Sequence, residues 1–399
     1  MVAPYVVDLH AHFPMQFDSA GAQTPSRSRA RTFRKAMRHH RRRKGEKLLD
    51  RLKFLGLEIA DLFFNRESPH DGHAVTIDTL VQGNVGIAFS VAYCPFEELD
   101  LDDPPKDGYY GEIHDLLKVV EGVVAADPRA QVVRDFAELQ AARAAGKVAM
   151  IHAIEGGFHL GDRDDAIAKH VEKLAAMGLG YVTVAHLFYR EVATNVPALP
   201  FLSDNVYRLL FPQPDGVGLT SRGRGLVTAM AKHGVLVDVT HMSERGMADT
   251  FALLDALDPA KRMPVIASHI ACAHPGGYAY NLGEKWVKKI AERGGVCGVI
   301  YCDHYVRDSA GSRTKTFAES FALVKAQVAK LRAWGGDDVL AIGSDLDGFI
   351  KPTLAGLSSA ANHADLAAAL EAEYGATLAE KICHGNAMRA LEAGWRKGV

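Results

Sequence analysis

The sequence predicts an α/β fold, a (β/α)8 TIM barrel, and three observations support that prediction. Eight short apolar runs recur along the 399 residues, and each of the last six follows a helical segment. The runs are continuous rather than alternating, which is typical of parallel strands that are covered on both faces. Glycine ends five of the helical segments, at the place where a left-handed residue turns a chain back into a strand.

These elements follow one another in a regular order. The predicted strands are residues 4–8, 85–93, 148–154, 180–185, 235–240, 264–268, 296–301 and 339–344. The predicted helices are residues 133–145, 164–177, 223–233, 246–257, 283–293 and 317–334, and the glycines are Gly146, Gly178, Gly234, Gly294 and Gly335. An open doubly wound sheet is the alternative fold, but no GxGxxG motif follows the first strand.

The chain is longer than its predicted fold requires. A barrel of this kind needs about 250 residues, so the chain carries large insertions. The clearest lies between the first two strands, at about residues 14–83, and includes residues 27–44 with ten Lys or Arg and no acid. We interpret it as a helical, basic insertion that covers one barrel end within a single domain, residues 1–399. A contact surface for nucleic acid or another anionic partner is the alternative, although aromatic residues are nearly absent from residues 27–44.

Composition and targeting signals predict a cytoplasmic protein. A net charge of −2 excludes attraction of the whole chain to nucleic acid, and we expect no nucleic-acid partner. The first residues show no basic segment followed by an apolar run, and no stretch is long and apolar enough for a membrane helix. The five cysteines are odd in number and lack CxxC spacing, which is typical of free thiols in a reducing compartment.

Six of the eight predicted strands end in a histidine or a carboxylate. These residues are His10 and His12, Glu155, His186, His241, His269 and Asp345. The active site of a barrel lies at the carboxyl ends of its strands, so we expect all of them at one rim. The period of a strand also places His10 and His12 on one face, where both can reach one ion.

This set of side chains predicts a metal centre. Imidazole and carboxylate ligands suit zinc, with manganese, iron or cobalt as substitutes. The five candidate ligands are His10, His12, Glu155, His241 and His269. Five ligands exceed what one tetrahedral zinc that also holds water can use, whereas two zinc ions sharing Glu155 account for all of them. Such a pair holds a hydroxide and polarises a carbonyl, and Asp345 is the expected catalytic proton shuttle to the leaving amine.

The motifs around these residues resemble those of one known family. They are DLHAHFP at 8–14, IEGG at 154–157, GLT at 218–220, LVDVTHMS at 236–243, PVIASH at 264–269, IGSDLDG at 342–348 and GNAMRAL at 385–391. The sequence resembles the membrane (renal) dipeptidase family, peptidase family M19, of the amidohydrolase superfamily. That resemblance implies a binuclear zinc centre, a small peptide-like substrate cleaved at its amide bond, and a homodimer. It further implies that His186 and Asp345 act on the substrate and that Glu155 bridges the ions.

The sequence departs from the family pattern at two places. The first motif of the family is usually HxD, whereas this chain has His10 and His12. The family also carries an arginine about ten residues after the position of His269, which grips the carboxylate of the dipeptide, whereas residues 270–282 contain no arginine. We expect Arg222 to substitute for that arginine, or Tyr278 to bind a substrate with a different terminus.

These observations leave three functions open. The first is a zinc-dependent hydrolase of a small amide, in the simplest case a dipeptidase. The second is an enzyme of the same superfamily that acts on an N-acyl amino acid, a lactone or another substrate that is not a dipeptide. The third is a non-catalytic, metal-binding barrel, and the intact set of candidate ligands speaks against it.

Overall fold

A computed structural model describes residues 4–17, 73–94, 98, 109–199, 202–307, 313–348, 350 and 352–399. Residues 18–72, which include the basic segment 27–44, lie outside the described residues. The helical nature of the insertion and the single domain of residues 1–399 therefore stay predictions. Among the described residues, no helix is both long enough and apolar enough to span a membrane.

Eight parallel strands close into a barrel, which confirms the predicted fold. The strands of the sheet are β1 Val6–Ala11, β2 Val85–Ala92, β3 Ala130–Val132, β4 Val148–Glu155, β5 Tyr181–Thr183, β6 Leu236–Asp238, β7 Val265–Ile270, β8 Cys297–Val299 and β9 Leu340–Ile342. Their order is β2-β1-β9-β8-β7-β6-β5-β4-β3, and a further pairing between β2 and β4 closes the ring. Strand β3 pairs only with the start of β4 and stays outside the ring.

Helices surround the ring. The described α-helices are α1 Ile77–Gln82, α2 Tyr110–Ala125, α3 Phe136–Ala144, α4 Asp164–Ala176, α5 Asp204–Leu210, α6 Ser221–His233, α7 Glu244–Leu257, α8 Glu284–Glu292, α9 Asp303–Val306, α10 Phe317–Gly335, α11 His363–Tyr374, α12 Ala376–Glu380 and α13 Asn386–Gly394. Short 3-10 segments are Phe13–Gln16, Gly157–Leu160, Asp337–Val339 and Ala360–Asn362, and Lys381–Gly385 forms a π-helical turn. Most predicted helices begin and end within two residues of these bounds; the prediction for α3 starts three residues early.

Side-chain caps explain where several helices begin. The hydroxyls of Thr220, Ser243 and Thr316 each accept a hydrogen bond from the backbone amide three residues later, at the start of α6, α7 and α10. Asp135 caps α3 in the same way. Such caps satisfy amide groups that have no partner inside the helix.

Four of the five predicted glycine turns are confirmed, and one is wrong by a residue. Gly146, Gly178, Gly234 and Gly294 all have positive φ. The fifth turn is made by Gly336, with φ 83°, whereas Gly335 is the last residue of α10. A Cβ atom on Gly335 would lie 2.9 Å from Val339 Cγ1, so close packing accounts for this glycine.

The strands alternate between two apolar clusters, and this alternation aims the site residues. Phe89, Ile151 and Ala153 belong to the cluster that fills the ring, whereas their neighbours along β2 and β4 face the surrounding helices. The pairing of β1 with β2 changes register between Asp8 and Ala11, around His10. Irregularities of this kind re-aim side chains at the rims of barrels.

Candidate active site

The predicted metal ligands converge around the carboxylate of Glu155, at the carboxyl ends of the strands. Glu155 is the last residue of β4, on the same side of the strand as Ile151 and Ala153. The Nε2 atoms of His10, His241 and His269 lie 3.4, 3.6 and 3.5 Å from Glu155 Oε1, and those of His12 and His186 lie 3.4 and 3.3 Å from Oε2. Five buried imidazoles therefore surround one buried carboxylate.

The spacing of these atoms fits metal ions better than hydrogen bonds. Glu155 Oε1 is buried and has no hydrogen-bond partner, although three Nε2 atoms face it. Two ligand atoms about 2.0–2.1 Å from one tetrahedral zinc ion lie about 3.3–3.4 Å apart, close to the spacing seen around Oε1. Three groups have ligand atoms within 4.8 Å of one another: His10, His12 and Glu155; Glu155, His241 and His269; and His10, His269 and Asp345. The residues present therefore fit two ions that share Glu155.

Hydrogen bonds at the far ring nitrogens fix two of these imidazoles. The Tyr181 hydroxyl donates to the Leu9 carbonyl at 2.9 Å, so it accepts the proton of His10 Nδ1 at 2.8 Å. Ser268 Oγ donates to Asp238 at 2.6 Å and accepts from His269 Nδ1 at 2.9 Å. In both imidazoles Nδ1 therefore carries the proton, and the lone pair of Nε2 is left for a metal.

Two site residues have a left-handed backbone that is unusual outside glycine. His241 has φ 65° and Asp345 has φ 58°. Holding a residue in this backbone region destabilises the folded state by about 1–3 kcal/mol, and such strain clusters at functional sites. Backbone hydrogen bonds hold both in place, from Val196 to the His241 carbonyl at 2.8 Å and from Asp345 to the His10 carbonyl at 2.8 Å.

The electrostatics of the site keep the carboxylate charged. Burial alone would raise the pKa of Glu155, but the neighbouring His186 and His10 outweigh it and hold that pKa well below its usual value. Burial lowers the pKa of His269 well below its usual value and also lowers the pKa of His241. Burial would lower the pKa of His10 too, but Glu155 outweighs it and the pKa is raised. Of His10, His241 and His269, His10 is thus the candidate ligand at which protons would compete most with a metal.

A pocket opens onto this centre. Its polar lining consists of His12, Glu155, His186, His241 and Asp345, and its remaining described lining consists of Leu187, Ala198, Tyr280, Ile300, Tyr305 and Ile350. Asp345 Oδ1 lies 3.1 Å from His12 Nε2. Both predicted catalytic residues, Asp345 and His186, therefore border the space in which a substrate would meet the candidate metal ligands.

The structure does not bring the two other predicted substrate-binding residues into this pocket. Tyr278 is 38 % exposed, and its hydroxyl lies 3.3 Å from His304 Nδ1. Arg222 forms an ion pair with Glu191 at 2.9 Å. Neither belongs to the described lining, whereas Tyr280 does. Their part in substrate binding stays a prediction without support from this geometry.

Sequence reasoning missed Glu98, which contacts His186 from outside the pocket. Glu98 is fully buried, and its Oε2 atom lies 2.8 Å from His186 Nδ1. The Tyr93 hydroxyl donates to the same oxygen at 2.6 Å, and the Phe188 amide donates to Oε1 at 3.0 Å. No strand end or known spacing pointed to this glutamate; the only signal was Tyr93 at the end of the second predicted strand.

Comparison with known proteins extends these observations. A family model described as membrane dipeptidase (peptidase family M19) matches residues 5–394. The chain is 24% identical over 328 residues to Dipeptidase tcpJ of Claviceps purpurea (strain 20.1), which covers 80% of this chain and 69% of that protein.

Solved structures share the fold. A metallo peptidase from Rhodobacter sphaeroides, liganded with a phosphinate mimic of the dipeptide L-Ala-D-Ala, matches with a TM-score of 0.68 and 20% identity, over 98% of this chain and 100% of that chain. The M19 metallo peptidase dipeptidase AC matches with a TM-score of 0.68 and 21% identity, over 99% and 100%. The probable dipeptidase PvdM from Pseudomonas aeruginosa matches with a TM-score of 0.62 and 18% identity, over 82% and 90%.

Proposed function

Because the chain belongs to the membrane dipeptidase family (peptidase family M19) and is a metal-dependent hydrolase, we propose that it cleaves the amide bond of a dipeptide with the help of two zinc ions. The observation that carries this proposal is the convergence of five buried imidazoles on Glu155. Nitrogen-rich ligand sets of this kind suit zinc. A non-catalytic barrel does not fit a chain of this family.

The described residues divide into two ligand groups. His10 and His12 would hold one ion with Glu155, and His241 and His269 would hold the other with the same carboxylate. When bound, such a pair of ions supplies a nucleophilic hydroxide at neutral pH and polarises the scissile carbonyl.

Two side chains then handle the substrate. The Asp345 carboxylate borders the pocket beside His12, and it accepts a proton as the amide is attacked and returns that proton to the leaving amine. His186 lines the pocket with its Nε2 atom near Glu155 Oε2, and from there Nε2 contacts the carbonyl group of the substrate.

A reconstitution experiment tests the proposal. The purified protein is stripped with a chelator, reloaded with zinc and assayed against dipeptides whose C-terminal residue is L or D, including L-Ala-D-Ala. We expect turnover that vanishes on stripping and returns with about two zinc ions per chain by elemental analysis. Full stoichiometry without turnover of any dipeptide would reject the dipeptidase assignment.

A second candidate is hydrolysis of a substrate without the free carboxylate of a dipeptide, such as a lactone, or of an N-acyl amino acid. In the described pocket, Leu187, Ala198, Ile300 and Ile350 provide apolar wall, whereas Arg222 is paired with Glu191 elsewhere. Adding amide-capped dipeptides, N-acyl amino acids and lactones to the same assay separates the candidates. A capped dipeptide that is cleaved better than its free acid would favour the second.

We also propose that the protein is cytoplasmic, on the ground of its cysteine pattern. A second proposal, which rests on the family resemblance, is that it forms a homodimer. Light scattering on the zinc-loaded protein measures the second property directly, and a monomer at working concentration would reject it.

A further inference from the structure

We infer that Glu98 is a positioning residue that fixes the ring orientation of His186 and keeps its Nδ1 protonated, and that the substrate contact of His186 depends on it. This inference rests on the proposed function, in which His186 faces the substrate. None of the motifs that indicate the family includes Glu98.

The contacts of Glu98 leave its carboxylate no freedom to turn. Three donors converge on it: the Tyr93 hydroxyl at 2.6 Å, a ring nitrogen of His186 at 2.8 Å, and the Phe188 amide at 3.0 Å. Its backbone is held as well, because its amide donates to the Cys94 carbonyl at 3.3 Å and its carbonyl accepts from Arg190 at 3.2 Å. Short bonds of this kind in a fully buried place are typical of an ionised carboxylate, which only accepts.

The contact with His186 has a direct consequence for that ring. Since the carboxylate can only accept, Nδ1 of His186 must carry a proton, and Nε2 is then turned toward the centre, 3.3 Å from Glu155 Oε2. A flip of the ring would exchange both nitrogens for carbon positions and break both contacts. Tyr93 and His241 pack edge-on against the ring, at centroid distances of 4.6 and 4.7 Å, and limit its tilt.

Glu98 thus holds the ring of His186 in the way that Tyr181 holds the ring of His10 and Ser268 holds that of His269. In each case a group behind the ring fixes which nitrogen faces the centre. Removal of such outer partners in metal sites costs about 10–100-fold in activity or affinity. The partner of His186 differs because it carries a full charge, and a charged hydrogen bond is stronger than a neutral one.

The test compares Glu98→Gln with two other variants. Glu98→Gln keeps the size of the side chain but places an amide nitrogen against either the Phe188 amide or His186 Nδ1. Tyr93→Phe removes one of the three donors and keeps the ring that packs on His186. Asp258→Asn is the matched control, because Asp258 is a buried carboxylate that binds the Met263 amide and Arg293, away from the pocket.

We expect Glu98→Gln to keep two zinc ions and to lose about 10–100-fold in kcat, with a smaller change in KM. Tyr93→Phe should change kcat in the same direction by a smaller factor. Asp258→Asn should lower Tm without altering kcat. If Glu98→Gln has the kcat of the parent, or loses activity only in proportion to folded protein, as the control does, the inference is overturned.

A second readout does not need turnover. In 15N-histidine spectra of the zinc-loaded protein, the His186 signal is assigned by its absence in His186→Gln. We expect a protonated Nδ1 in the parent and a changed Nδ1 shift in Glu98→Gln. An unchanged His186 signal would overturn the inference even if no dipeptide is cleaved, whereas a changed signal without turnover would retain the inference and reject only the dipeptidase assignment.

Discussion

Asp345 combines a left-handed backbone with a carboxylate that borders the pocket. Its φ is 58°, and its amide donates to the His10 carbonyl at 2.8 Å. Asparagine and aspartate enter this backbone region more readily than most other residues, so the amide analogue retains the turn. The variant Asp345→Asn thus isolates the proton-carrying role from the shape of the loop.

We expect Asp345→Asn to retain two zinc ions and to lose about 10²–10⁴-fold in kcat, because an amide cannot carry the proton to the leaving amine. Steady-state kinetics on metal-loaded protein, with elemental analysis of the same sample, measure both quantities. Activity within a few-fold of the parent would show that another group carries the proton.

At the scale of residues, the sequence could predict the site residues that lie near the ends of strands. His10, Glu155 and His269 lie near the ends of β1, β4 and β7, and His241 follows the end of β6; the geometry of a barrel brings strand ends together. It could not predict Glu98, because that residue lies beyond the end of β2, and no local pattern says that its side chain contacts His186. The same limit explains why Tyr280 lines the pocket and Tyr278 does not.

At the scale of elements, the turn after β9 sets the position of the Asp345 carboxylate. The Gly348 amide donates to the Asp345 carbonyl at 3.0 Å. A Cβ atom on Gly348 would lie 2.1 Å from Asp345 Oδ1, so this close approach requires glycine. Asp347, next to it, binds the Ala74 and Val75 amides and fastens the turn to the segment before α1.

We expect Gly348→Ala to displace the Asp345 carboxylate and to lower kcat by at least tenfold, with the metal retained. Gly283→Ala is the control, since a Cβ atom there meets nothing within 4 Å and its φ of −82° suits alanine. Kinetics and thermal unfolding of both variants distinguish a local displacement from a general loss of stability. Equal kcat in the two variants would contradict the steric argument.

The sequence predicted the eight barrel strands because each is a continuous apolar run. A strand of a closed sheet is covered on both faces and therefore needs apolar residues throughout. The sequence did not predict β3, whose three residues, Ala130–Val132, are too few to stand out and include the polar Gln131. Gly335 was mistaken for the turn residue because two adjacent glycines end α10, and only packing against Val339 decides which of them stays helical.

At the scale of the whole molecule, the proposed metal centre would link folding to metal binding. Ligands from β1, β4 and β7 and from the loop after β6 meet at Glu155, so an ion bound there ties together distant parts of the chain. An ion that binds only the folded state adds about 2.7 kcal/mol at a free concentration of 100 times Kd. We expect chelation to lower Tm and zinc to restore it, as followed by calorimetry. An unchanged Tm would reject a folded-state metal site.

The stability of the metal-free protein should fall as pH rises, whereas the stability that bound zinc adds should grow. In the metal-free protein, burial lowers the pKa of His186, but Glu155 and Glu98 outweigh it and raise that pKa to about 9. A raised pKa contributes stability that is complete below the unfolded value of about 6.5 and is lost as pH rises through 9. The raised pKa of His10 acts in the same direction.

Zinc bound at the proposed centre opposes this trend, because it would need the lone pair of His10 and would displace its proton. Metal binding therefore tightens as pH rises, by up to about tenfold per unit for each proton displaced. We expect the Tm gap between zinc-loaded and chelated protein to widen from pH 6.5 to 9, since groups whose pKa does not depend on the metal cancel in that difference. The variant His186→Gln should flatten the decline of the chelated form while leaving zinc affinity within a few-fold. If the Tm gap narrows as pH rises, zinc does not displace protons from the imidazoles around Glu155.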